Sequence, residues 1–187
     1  MRRFVHALTM VLAGLLLGLG SAWYAITGAA VTGVAYGPWE NNPLVGSATA
    51  GPWDRARVAH HALLGLTREE AVYYVATRDS DGRPLSADAT YRVSGTAVPA
   101  RWWSITAYGP DYYLMPNERG VYSFNSESVS RGEDGGFAFL VSRTPREGDW
   151  LPLGEVKRFD LLLRLYNPRG RASASDLPVI ERVDGDE

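Results

Sequence analysis

The chain contains no cysteine. That absence removes disulfides, thiolate nucleophiles and cysteine-ligated zinc or iron–sulfur centres together. It leaves an extracytoplasmic location open, because a domain of ordinary size does not depend on disulfide staples. Histidine is scarce too: His6 lies in an apolar stretch, and His60 and His61 are neighbours. Adjacent residues on a helix point about 100° apart, so that pair cannot chelate one ion as His-x-x-x-His would. The expectation is one histidine on the surface and one packed on a sheet. A Gly-x-Ser-x-Gly elbow is also missing. A nucleophilic Ser104 would therefore need His60 or His61 to be brought to it by the fold. No cofactor is implied.

Cationic clustering is the next thing missing. The formal net charge is −2, and with Arg2 and Arg3 set aside 17 basic residues face 21 acidic ones, or −4. Nucleic-acid binding draws on clustered cations that displace counterions, whereas the arginines here are scattered among acids. Apolar residues make up 45% and charged residues 21% of the 187 positions, an ordinary globular balance with room for one domain.

Long apolar runs occur once. After Arg2 and Arg3, residues 4–37 carry no Asp, Glu, Lys or Arg, and residues 7–26 are interrupted only by Thr9, Ser21 and glycines. Twenty helical residues at 1.5 Å each cross a bilayer core. Arginines at the extreme N-terminus keep that end cytoplasmic, which exports the rest and, in a bacterium, makes it periplasmic from a single-pass inner-membrane anchor. The alternative is secretion after signal cleavage, because Gly20, Ser21 and Ala22 form a small-residue site before Trp23. Residues 1–30 are accordingly a signal-anchor or transmembrane helix. Residues 31–52, rich in Gly, Pro and Asn, are a linker, and the tail from 184 to 187 is flexible.

The folded part is expected over residues 53–183. Asp54 is a candidate N-cap for a helix with Ala59, Ala62, Leu63 and Leu66 on one face and Gly65 near its end. Thr67 and Glu70 have capping-box spacing, but the β-branched and aromatic residues that follow point to a short turn and then a strand. Strands are expected over 72–77, 90–95, 102–108, 121–125, 137–142 and 159–166, separated by Gly/Pro/Asp turns. The run 132–136 is read as a hairpin turn, and the end from 172 as fraying. Many short strands with turns between them imply a mainly β, antiparallel sandwich or barrel with one or two short helices after the N-terminal transmembrane helix.

Several landmarks fall in a recognisable order: Glu70-Ala71-Val72-Tyr73, Asp79-Ser80-Asp81-Gly82, Pro99, Trp103-Ser104-Ile105-Thr106, Tyr108, Asn117, Asp134-Gly135, Trp150-Leu151-Pro152 and Arg164-Leu165-Tyr166-Asn167-Pro168. In series they resemble the bacterial family called domain of unknown function 1214, over roughly residues 53–183. The resemblance implies a jelly-roll-like β-sandwich that works beside a companion, domain of unknown function 1254, fused upstream or on a separate chain. The upstream length here leaves no room for that fusion. Two positions depart from the family pattern: Asp149 stands where an asparagine is usual and Gly109 where an aspartate is usual.

On an alternating strand Trp102, Ser104, Thr106 and Tyr108 face one way and Trp103, Ile105 and Ala107 the other. Trp103 is then the core residue, and Trp102 with Tyr108 an outward platform able to stack on a sugar or grip an apolar group. Arg164, on the polar side of a leucine-rich strand, is expected to pair with an acid such as Asp149. With the landmarks Asn117 and Trp150, the candidate ligand-binding residues are Trp102, Ser104, Tyr108, Asn117, Trp150 and Arg164. Three functional classes remain open: a membrane-tethered module that binds a partner or ligand, a hydrolase-like domain completed by a partner, and a carbohydrate- or lipid-binding module.

Overall fold

Alternating leucines organise the molecule. In the computed structural model, which describes residues 2–27, 33–60, 66–96 and 98–183, Leu161, Leu163 and Leu165 point from one strand into the core, while Arg164 and Tyr166 leave on the other side. That strand, β9 (Asp160–Pro168), lies between β3 (Ala71–Ala76) and β5 (Ala100–Tyr108), both antiparallel to it. The sheet is completed by β1 (Val34–Tyr36), β2 (Trp39–Asn41) and β6 (Ser123–Asn125), in the order β1-β2-β3-β9-β5-β6.

A second sheet has the order β10-β4-β7-β8, with β4 (Thr90–Gly95), β7 (Phe137–Ser142), β8 (Trp150–Pro152) and β10 (Val179–Val183). Aromatic rings fill the space between the sheets. Trp103 stacks on Phe137 at 4.5 Å between ring centres, and Phe124 on Phe139 at 4.9 Å. Each pair joins one sheet to the other, as inward faces of a sandwich must. The fold is thus mainly β and sandwich-like, not a closed barrel. Every named pairing is antiparallel except β7 with β8, which is parallel. That departure from an all-antiparallel sandwich follows from the 143–149 connection, which carries β8 back alongside β7 in the same direction.

The linker expected over residues 31–52 is not free. β1 and β2 form a hairpin whose Glu40 pairs with Val75 of β3. Trp39 is 0% exposed, and its indole N–H donates to the Pro178 carbonyl at 2.6 Å. The end expected to fray is held as well. β10 pairs with β4 along its length, and Ile180 exchanges hydrogen bonds with Ser80 through its N–H and its carbonyl. The tail from 184 to 187 lies outside the described residues.

Two helices precede the sandwich, α1 (Arg2–Thr27) and α2 (Pro52–His60). α1 is long and apolar enough to cross a membrane, and none of its residues is buried. α2 starts earlier than expected, so Asp54 is not its cap. Instead it sits one turn in and accepts from the Gly51 N–H at 3.2 Å. Nor does α2 bury an apolar face: Ala59 and His60 are exposed. Its contacts are with α1, where Arg57 Nε donates to the Ala25 carbonyl at 2.9 Å and His60 meets the edge of Trp23. His61, Ala62, Leu63 and Gly65 lie outside the described residues. Thr67 to Glu70 form the expected turn, with the Glu70 carboxylate accepting from the Thr67 N–H and hydroxyl.

Candidate functional site

β5 and β9 pair with Ser104 opposite Arg164 and Trp102 opposite Tyr166. Because side chains alternate, this register puts every outward residue of the two strands on one surface. Across it, Tyr73 of β3, Arg164, Ser104 and Asn125 of β6 form one row. Ala71, Tyr166 and Trp102 form the next row on one side, and Val75, Leu162, Thr106 and Ser123 the next on the other. Asp160 and Tyr108 face each other beyond that.

Neither sheet of the sandwich packs on this surface, yet Ser104, Thr106 and Leu162 are only 5%, 6% and 7% exposed. Arg164, bonded to Thr106 and Tyr108, supplies part of that cover. Arg164 reaches along the face, donating from Nη1 to Thr106 Oγ1 at 3.0 Å and from Nη2 to Tyr108 Oη at 2.6 Å. Its guanidinium carbon is 5.5 Å from the centre of the Tyr108 ring, within cation–π range. Trp102 and Tyr166 meet edge to face at 5.3 Å. Burial pushes the Tyr73 hydroxyl above its ordinary pKa, and nearby Tyr166 adds to this, while Arg164 opposes it. Burial also raises the Asp160 carboxyl, against a smaller lowering by Arg158.

Four of the six candidate residues, Trp102, Ser104, Tyr108 and Arg164, therefore meet on one face, and two do not. Asn117 closes a loop: its amide Nδ2 donates to the Val121 carbonyl at 3.0 Å, and its Oδ1 accepts from the Val121 N–H. Trp150 is buried on β8, in register with the outward Leu140. Its indole donates to the Ser142 carbonyl at 3.0 Å, and Arg119 lies over its ring. The expected pairing of Arg164 with Asp149 does not form. Asp149 accepts from the Ser130 N–H at 2.5 Å, while Arg164 donates to the two hydroxyls of β5.

The run 132–136 is the expected turn, closed by the Gly132 N–H on the Gly136 carbonyl and by Asp134 Oδ1 on the Gly136 N–H. Gly135 takes the positive φ of 76° that such a turn requires. Among the described residues no group of three or more His, Asp or Glu could hold a metal ion. The described histidines lie on α1 and α2, so neither is on the strand that carries Ser104.

Sequence reading missed Tyr73 and Tyr166 as parts of this face. Alternation along β9 places Tyr166 beside Arg164, but only the pairing of β9 with both β3 and β5 gathers the aromatic rim around the guanidinium.

A mainly β sandwich following a long apolar helix, with an arginine set among aromatics on the outer face of its larger sheet, defines the class. The chain belongs to the family described as protein of unknown function (DUF1214), whose model matches residues 70–170 and so spans β3 to β9. Among solved structures the chain is similar to the VPA0106 protein from Vibrio parahaemolyticus, with a TM-score of 0.58 and 24% identity over 72% of this chain and 36% of that one. It is also similar to an uncharacterized protein from Burkholderia cenocepacia, with a TM-score of 0.47 and 19% identity over 60% of this chain and 29% of that one. This chain thus spans about a third of the length of those proteins. No curated protein matches it.

Proposed function

We propose that this protein is a membrane-held binding module of the bacterial envelope, whose sandwich, jelly-roll-like in its wiring, presents the outer face of the six-stranded sheet to a partner. In this reading α1 spans the inner membrane once, Arg2 and Arg3 stay in the cytoplasm, and the sandwich is periplasmic. Trp23 and Tyr24 at the end of α1, with exposed Trp53 on the adjoining α2, suit the headgroup level, where aromatic rings concentrate. The companion family 1254 protein is the natural partner.

One observation carries the proposal: Trp102, Tyr108, Tyr166 and Tyr73 surround Arg164 on a face that neither sheet of the sandwich covers. Trp, Tyr and Arg are the residue types that dominate binding energy at interfaces. The test is photo-crosslinking of the full chain in its own membranes, with a photoreactive phenylalanine analogue at Tyr73 and, as control, at Ala138 on the outer side of the four-stranded sheet. A discrete adduct is expected from position 73 and none from 138. Equal labelling at both, or none at 73, would remove the face as a binding surface.

A further inference from the structure

Resting on that reading, we infer that the outer face of the six-stranded sheet recognises a protein partner through a carboxylate, presented on an extended or flat surface and flanked by apolar groups. The argument starts from the charge of Arg164. Guanidinium is always ionised, and a half-buried one is normally matched by a carboxylate. Here the bonded side-chain partners are two neutral hydroxyls, Thr106 and Tyr108, and among the described residues no ion pair includes Arg164. A guanidinium has five N–H donors in a planar fork. Two are used, and they fix its orientation.

Two acids share this face through the strand register, and neither is in an ion pair with Arg164: Glu40, in the row of Val75 and Leu162, has its carboxylate beside Gly33, and Asp160 lies four residues from Arg164 along β9 near Arg158. Asp149, the acid expected to pair, is held by Ser130. Arg164 therefore stands on the face without a carboxylate partner among the described residues, oriented by hydrogen bonds to Thr106 and Tyr108. That is the arrangement in which a carboxylate is bound bidentately with little ordering cost.

Shape decides the kind of partner. Small molecules take concave sites that cover most of their surface. Among the described residues, four surface cavities of about 290 to 740 Å³ are lined by neither Arg164 nor Trp102. The face offers instead a rim of Tyr73, Trp102, Tyr108 and Tyr166 around a floor of Ser104, Thr106 and Leu162. A protein segment can lay apolar side chains on such rings while an Asp or Glu reaches the guanidinium.

The experiment pans a phage-displayed library of random twelve-residue peptides against the full chain in detergent micelles. Binding of the selected peptides is then compared for wild type, Arg164→Met, Arg164→Lys and Trp102→Ala. Thermal unfolding of each variant shows that it is folded, and Met retains the aliphatic stem. The expected pool is enriched in Asp or Glu beside apolar residues. It should lose affinity by roughly tenfold or more with Arg164→Met, the scale of one charge-assisted hydrogen-bonded pair, and keep part of it with Arg164→Lys. Peptides that need Trp102 but carry no acid enrichment and ignore Arg164→Met would overturn the carboxylate inference and leave the binding face standing. A pool indifferent to both Trp102→Ala and Arg164→Met, or no enrichment at all, would overturn both.

Discussion

At the scale of single residues, the two neighbouring tryptophans show what alternation alone can tell. Trp103 belongs inside and Trp102 outside because successive side chains on a strand face opposite ways, and the structure agrees. The surroundings of Arg164 are a different matter, because Thr106 and Tyr108 lie 58 and 56 residues from it in sequence. No pattern along the chain states which strands are neighbours. Asp160 illustrates the cost of such placement. Its carboxyl is raised above 3.8 by burial, so between that ordinary value and the raised one the native state binds more protons than the unfolded chain. Stability is fully present below the lower value and falls as pH rises through the upper one. Asp160→Asn, which cannot ionise, is therefore expected to raise the urea midpoint at pH 7 and leave it nearly unchanged at about pH 3. Equal midpoints at pH 7 would show that the carboxylate is not penalised where it sits.

At the scale of elements, the strands legible in the sequence are mostly those long enough to alternate: β4 and β7 fall where expected, β3, β5 and β9 within two residues of it, and the three-residue β6 inside the stretch expected over 121–125. The missed strands β1, β2 and β8 have three residues each, too few to show a period of two. β1 and β2 also stand among Gly37, Pro38, Asn42 and Pro43, the composition of a loop. What makes them structure is remote. The Trp39 indole bonds to Pro178, 139 residues away, and Asn41 Nδ2 donates to the Tyr73 carbonyl at 2.7 Å. The missed β10 lies in the same polar C-terminal stretch and is likewise held by β4 rather than by its own pattern. The hairpin is therefore part of the sandwich, and Trp39→Ala is expected to cost about 3–5 kcal/mol, as for other large aromatic truncations in a core. A chain starting at residue 33 should unfold cooperatively near the temperature of the longer chain, whereas one starting at 53 should melt far lower or fail to fold. Indistinguishable melting curves for the two truncations would return residues 33–52 to the status of a linker.

At the scale of the whole molecule, the hairpin changes the geometry of attachment. A free linker over residues 31–52 would let the sandwich roam, but β1 begins at Val34, seven residues on from Thr27 at the end of α1. At 3.3–3.6 Å per residue that connection reaches about 25 Å at most. The sandwich is then confined close to the end of α1, with α2 lying against that end through Arg57 and His60. In the proposed topology, confinement near one membrane surface would favour encounter with a partner held at the same surface, since effective concentration is highest when the linker just spans the sites and falls as it lengthens. All of this requires α1 to stay on the chain. A signal peptide cut after Ala22 would release Trp23 onward and dissolve the geometry. The mature protein is therefore expected to retain its N-terminal residues on sequencing and to stay with membranes through alkaline carbonate washing. A mature chain that begins at Trp23 and is recovered in the soluble periplasmic fraction would make α1 a signal sequence and the protein a secreted one.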